Sequence, residues 1–226
     1  PGAIFLDSCY SKNSSERYDI LAAQPLDLKF PTLSAYSTEQ EAKNYFEALD
    51  TILIEEIGRV KEDIQEIPFV GGLLGYMEYD AGIPINKVAH HQSSTKSDKS
   101  NCHFGAYRWA IIQDHQQKKT ILSSLPSFSK KDHHDLVRRL KDPKLGNIAT
   151  KDFELLTPLK SNMTQGKYRK AFEKVMHYIH QGDCYQINLA QRFSADYTGD
   201  PWTAYQRLRS VSASPFSAFI QDVEGI

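Results

Sequence analysis

Apolar positions recur along the chain with two periods, and the period names the element. Ala3, Ile4, Phe5 and Leu6 form a continuous apolar run closed by Asp7 and Ser8, the pattern of a buried strand ending in a polar turn. Arg17–Ala23 predicts a second strand stopped before Pro25, with the polar stretch Ser11–Glu16 as the loop between them. Thr38 followed three residues later by Glu41 is a capping-box signature, and Tyr45, Phe46, Leu49, Leu53 and Ile57 then fall at helical spacing toward Gly58. They predict a helix of about five turns. Phe69–Tyr79 carries Gly71, Gly72 and Gly75 among aromatic residues, which predicts a strand with a bulge or a close backbone neighbour. Asn86–Asn101, polar and rich in Ser and Lys, reads as a mobile loop. Gly105–Gln113 and Thr120–Leu125, joined by the polar Asp114–Lys119, predict a hairpin, and Ser129 caps a short helix over Lys130–Leu140.

Periodicity fades from Pro143 to Asn162, which divides the chain into residues 1–150 and 151–226. Beyond that boundary Thr164 is a candidate N-cap, and Tyr168, Ala171, Phe172, Val175, Met176 and Ile179 make one helical stripe ending at Gly182. Cys184–Phe193 alternates, with Tyr185, Ile187, Leu189 and Phe193 on one face and Gln186, Asn188, Ala190 and Arg192 on the other. This predicts a strand whose apolar face the helix covers. A helix from Pro201 and a strand over Pro215–Ile220 follow. The chain opens at Pro1 without a Met and closes on Val223–Ile226, which reads as a strand and turn, so further sequence is expected downstream. The pattern as a whole predicts an α+β fold of antiparallel sheets with flanking helices.

Composition narrows the function. With 226 residues, 40% hydrophobic and 24% charged, the chain can bury a core. Lys and Arg number 27 against 28 Asp and Glu, so no charge excess attracts nucleic acid or an anionic membrane. No apolar run reaches the roughly 18 residues of a spanning helix, and Pro1–Ser8 lacks the regions of a signal peptide, which together point to the cytoplasm. Cys9, Cys102 and Cys184 are odd in number and far apart, as buried thiols in a reducing compartment are.

Local motifs carry little chemistry. Gly71–Tyr76 lacks the spacing and the following helix of a phosphate cradle. The adjacent pairs His90–His91 and His133–His134 point apart, and His177 with His180 has no third ligand at fitting spacing. No nucleophile elbow or zinc-protease signature occurs. The polar face bearing Gln186 and Asn188 either lines a substrate cleft or meets water.

Longer phrases carry more. Gly182-Asp183-Cys184-Tyr185-Gln186-Ile187-Asn188-Leu189-Ala190-Gln191-Arg192-Phe193, after Ser161-Asn162-Met163-Thr164 and before Ser214-Pro215-Phe216-Ser217-Ala218-Phe219, resembles the aminodeoxychorismate synthase component I family. Phe5-Leu6-Asp7-Ser8, Arg17-Tyr18-Asp19-Ile20, Gly71–Tyr76 and Tyr79-Asp80 stand in the family's order, so the resemblance spans essentially the whole chain. It implies a truncated fold like that of anthranilate synthase component I. Residues 1–150 would be the amino-terminal domain and 151–226 the incomplete start of the chorismate-binding domain. It implies amination of chorismate at C4, with ammonia from a glutamine amidotransferase partner, to 4-amino-4-deoxychorismate for p-aminobenzoate and folate.

Magnesium is the implied cofactor, with its ligands beyond Ile226. The lysine of a Pro-Ile-Lys-Gly-Thr segment, thought to add to the ring, is absent from these residues, so no catalytic residue is expected in this span and the chain alone is expected to be inactive. What the resemblance does carry over is a tryptophan-sized pocket of Ser8, Ser15, Glu16, Arg17, Tyr18, Pro215, Phe216 and Ser217. Ser15 stands where some members have an aromatic, which removes a stacking wall. Anthranilate synthase component I, and a tryptophan-binding or subunit-docking module without chemistry, are the alternatives.

Overall fold

The structure is a computed structural model that describes residues 2–9, 17–58, 67–86, 100–144 and 151–221. The predicted loop Ser11–Glu16, most of the predicted loop Asn86–Asn101, and the predicted final turn lie outside the described residues. The chain divides into two units, Pro1–Asn147 with Arg209–Ile226, and Ile148–Leu208.

The first unit carries strands β1 (Ile4–Asp7), β2 (Tyr18–Ala22), β3 (Gly72–Met77), β4 (Cys102–Tyr107), β5 (Trp109–Asp114), β6 (Lys119–Ser124) and, from late in the chain, β11 (Ser217–Ile220). Five of them form one sheet in the order β11-β1-β2-β5-β6, while β3 and β4 pair separately. Every pair is antiparallel, with Asp7 opposite Ser217, Leu6 opposite Ile20, Ile20 opposite Ile112, and Ile112 opposite Ile121. Ile4, Ala22, Tyr107 and Ala110 form one buried cluster, joined by Leu74 from β3. The Tyr107 hydroxyl donates to the Gly2 carbonyl at 2.8 Å, fixing the start of the chain.

Helix α1 (Glu39–Ile52) begins as the sequence predicts: Thr38 accepts from the Glu41 amide, and the Glu41 side chain accepts from the Thr38 amide. The last predicted turn is wider than an α-helix, a π-helical turn over Leu53–Ile57 that Gly58 ends at φ 77°. Tyr45 and Leu49 from α1 pack with Leu33, Ala81 and Cys102. Burial and its contact with Cys102 push the Tyr45 phenol far above its ordinary range. Helices α2 (Gly82–Ile85) and α3 (Lys130–Leu140) complete this unit, α3 capped by Ser129.

One predicted strand divides. Gly105–Gln113 reads as continuous, yet the chain breaks at Arg108: β4 pairs with β3, and β5 pairs with β2 and β6. The run is apolar on both sides of the break because each part is buried in its own sheet, so hydrophobicity gives no sign of the change. The predicted hairpin is β5–β6.

The second unit contains β7 (Glu154–Leu155), β8 (Lys160–Ser161), helix α4 (Gln165–Gln181), β9 (Phe193–Ser194), β10 (Tyr197–Thr198) and the start of helix α5 (Pro201–Val211). β7 pairs with β10 and β8 with β9. Thr164 caps α4 and Gly182 ends it at φ 81°, as predicted. No described residue of this unit is buried; Phe172 in the apolar stripe of α4 is 49% exposed. The predicted strand Cys184–Phe193 does not form: only Phe193 enters a strand, and Tyr185 is 93% exposed. Alternation makes a strand only where a neighbour supplies ladder bonds, and among the described residues a neighbour reaches this segment only at its end, where Phe193 lies opposite Ser161.

Candidate functional site

The end of β1 gathers an ionic network. Asp7, the last residue of the strand, has a side chain with 0% exposure. It accepts from Arg209 twice, Nε to Oδ2 at 2.5 Å and Nη2 to Oδ1 at 3.0 Å, and from the Cys9 amide at 2.7 Å. That fork holds the Arg209 guanidinium above its already high range. Ser8 follows, buried, and donates both its amide (2.9 Å) and its hydroxyl (2.5 Å) to Asp19 Oδ1 in β2. The second oxygen of Asp19 meets His115 Nε2 at 2.7 Å.

Arg17 grips Asp114 at the end of β5 through Nε (3.1 and 3.0 Å) and Nη2 (2.6 Å), and its guanidinium lies 4.7 Å from the centre of the Tyr18 ring. Asp114 also accepts from the amides of Gln116 and Gln117. Hydrogen bonding from Arg17, aided by those amides, lowers the Asp114 carboxyl to about 2.

Register places the predicted pocket residues. Tyr18 lies two positions beyond Ile20, as Ser8 lies two beyond its partner Leu6. Phe216 lies one beyond Ser217, as Ser8 lies one beyond Asp7. Ser8, Tyr18, Phe216 and Ser217 therefore share one end of the sheet. Phe216 takes φ 64° in the turn before β11 and is 84% exposed. Ser217 Oγ donates to the Ser214 carbonyl at 2.7 Å, and the Pro215 carbonyl accepts from Ser214 Oγ at 3.4 Å. Arg17 reaches this end but is turned to Asp114, and Ser15 and Glu16 lie outside the described residues.

Sequence reasoning missed the groups that tie this end together: Asp19, Asp114, His115 and Arg209. A signal for two of them existed. An aspartate between Tyr18 and Ile20, and another closing an apolar hairpin strand, are charges where a sheet is otherwise apolar, and such charges demand partners.

Other candidates are plainer. Gln186 Nε2 approaches Asn188 Oδ1 at 3.5 Å on an exposed segment. His177 and His180 are exposed on α4, and His134 binds the Lys130 carbonyl at 2.7 Å. At the opposite end of β1 a cleft of about 880 Å³ is lined by residues including Ile4, Gln24, Phe30, His103 and Tyr107. Among the described residues no three His, Cys, Asp or Glu side chains converge as metal ligands, so these residues do not fit the magnesium ion that the resemblance implies. No described helix is long and apolar enough to cross a membrane.

Residues 9–226 match the family described as chorismate binding enzyme. The chain belongs to that family. It is 33% identical over 237 residues to aminodeoxychorismate synthase component 1 of Escherichia coli (strain K12), covering 100% of this chain and 49% of that protein. Against the protein of the same name from Klebsiella aerogenes it is 33% identical over 233 residues, with the same coverage. Anthranilate synthase component 1 of Lactococcus lactis is 25% identical over 227 residues, covering 96% of this chain and 49% of that one. The chain thus spans about half the length of these chorismate-binding relatives. Its fold is similar to that of anthranilate synthase component I from Streptococcus pneumoniae TIGR4, with a TM-score of 0.60 at 22% identity over 91% of this chain and 48% of that chain.

Proposed function

We propose that the protein is component I of an aminodeoxychorismate synthase, which aminates chorismate at C4 with ammonia from a glutamine amidotransferase partner. The observation that carries this reading is the 33% identity to aminodeoxychorismate synthase component 1 over 100% of the chain, against 25% over 96% for the Lactococcus anthranilate synthase and 32% over only 70% for an anthranilate synthase alpha subunit of Arabidopsis thaliana. In this reading magnesium is required and the protein works in the cytoplasm. Residues 1–226 by themselves are expected not to turn over chorismate, because the Pro-Ile-Lys-Gly-Thr lysine that the resemblance implies is absent from them. The test takes the full-length protein that carries residues 1–226, supplies it with chorismate, magnesium and ammonium, and identifies the product by mass and chromatography, with residues 1–226 alone run beside it and expected to give none. 4-Amino-4-deoxychorismate is expected; anthranilate would move the protein to the second activity represented among its relatives.

The same reading gives the Ser8 end of the sheet an amino-acid pocket for tryptophan. Its support is the convergence of Ser8, Tyr18, Phe216 and Ser217 at one sheet end, with Phe216 exposed to pack an indole. Ser8→Ala should weaken tryptophan binding about tenfold, the effect of one lost hydrogen bond to a charged group, and leave ammonia-dependent turnover intact. Unchanged tryptophan affinity with lost turnover would contradict the assignment.

A further inference from the structure

We propose that the cleft between β4 and the connecting segment of residues 24–33 binds a small, uncharged, peptide-like amide with an apolar side chain, held by the main chain of Phe104. The site is separate from the chorismate chemistry and from the Ser8 end of the sheet. In an antiparallel pair each residue turns its N–H and C=O together, toward the partner strand or away from it, in alternation. The Asn101 carbonyl, just before β4, accepts from the Glu78 amide at 2.7 Å and so faces the β3 side. The Ala106 carbonyl accepts from the Leu26 amide at 2.8 Å and faces away. Register is unbroken from Cys102 to Tyr107, so Cys102, Phe104 and Ala106 all present main-chain groups to the outer edge. Ser100 Oγ serves the Cys102 amide at 3.2 Å and the Cys102 carbonyl at 2.8 Å. Among the described residues nothing pairs with the N–H and C=O of Phe104, or with the N–H of Ala106, a residue at 0% exposure. Main-chain groups in such a place demand partners.

The connecting segment bows off that edge. It is anchored at Leu26 and again at Leu33, whose carbonyl accepts from the Asn101 amide at 2.6 Å, and between these anchors it holds two residues more than β4 does. The bow leaves the cleft of about 880 Å³, with Phe104 and Gly105 in its wall. That volume lies within the roughly 300–1,000 Å³ of small-molecule sites. The other walls are apolar or aromatic: Ile4, Leu28, Phe30, Ile220, and the Tyr76 ring stacked on His103 at 4.6 Å. The enclosed hydroxyls are already engaged, Tyr107 donating to the Gly2 carbonyl at 2.8 Å and Ser100 to the Cys102 carbonyl. Among the described residues no lysine or arginine lines the cleft, while the carboxylate of Asp27 does, so an anion finds no partner and a neutral molecule is favoured. One extended residue, its N–H on the Phe104 carbonyl and its C=O on the Phe104 amide, satisfies both groups as an added strand does at a sheet edge.

Calorimetric titration of the full-length protein that carries residues 1–226 tests this with three probes: N-acetylphenylalanine methylamide, its analogue methylated on the acetyl-side nitrogen, and N-acetylphenylalanine. The methylamide should bind about tenfold more tightly than the N-methylated analogue, which has lost the N–H meant for the Phe104 carbonyl. It should also bind about tenfold more tightly than the acid, whose charge meets no cation. Hydrogen exchange read by mass spectrometry should slow over β4 when the methylamide binds and stay unchanged over α3. Equal binding of the methylamide and its N-methylated analogue overturns the proposal, as does an acid that binds as tightly as the methylamide. Binding that leaves exchange in β4 unchanged overturns it too. So does failure of all three probes to bind, the result expected where the longer protein's own residues fill the cleft.

Discussion

Asp7 pairs with an arginine 202 residues away while its own side chain is wholly enclosed. Removing one member of such a pair leaves the other as an uncompensated buried charge, which costs more than the pair itself was worth. Arg209→Ala should destabilise the protein by roughly 3 kcal/mol in urea unfolding at neutral pH. Adding Asp7→Asn should return part of that loss, because the stranded charge goes with it. Arg17 and Asp114 make a prediction in pH. The Asp114 carboxyl titrates near 2 in the fold, below the roughly 3.9 of an unperturbed aspartate, so its ionised form favours folding. That contribution is complete above about pH 4 and is lost as the pH falls toward 2. Arg17→Gln lifts the carboxyl toward its ordinary value and should flatten stability across that window, read as the urea midpoint against pH. The residues that could be read from the sequence are those in recognisable phrases, Ser8 and Pro215-Phe216-Ser217 among them. Arg209 could not be, because nothing along a helix says that one of its cations will meet a carboxylate two hundred positions earlier.

Helices were the most legible elements, since their ends are written in local chemistry. Thr38, Ser129 and Thr164 all cap as the sequence suggests, and Gly182 ends α4 in the left-handed region. Thr38→Ala should cost about 1 kcal/mol in thermal or urea unfolding. Strands were less legible because pairing is decided at a distance. Gly105–Gln113 and Cys184–Phe193 both carry convincing patterns, yet one divides between two sheets and the other, among the described residues, finds a ladder partner only at Phe193. Gly75 was legible in kind: a glycine in an apolar strand signals close approach, and a β-carbon there would run into the His103 carbonyl oxygen. That carbonyl belongs to backbone paired in the ladder, which cannot swing aside. Gly75→Ala should therefore force β3 and β4 apart and cost on the order of 3 kcal/mol, several times the loss from Thr38→Ala.

Across the whole molecule burial is uneven. Ala22, Ala106, Ala110 and Ile112 are at 0% exposure in the first unit, whereas no described residue of the second unit is buried. Amides with little apolar cover open at low free energy, so hydrogen exchange in α4 should outpace exchange in β5 by more than about tenfold. Equal protection in the two segments would contradict that picture. The pairing of β1 with β11 also sets a clock on synthesis. At about 5–20 residues per second, a ribosome needs roughly 10–40 s after making Asp7 to deliver Arg209 and the strand beside it. Through that interval β1 is an open edge and Asp7 lacks its cation, so the growing polypeptide has good reason to be held by a chaperone until its late residues emerge.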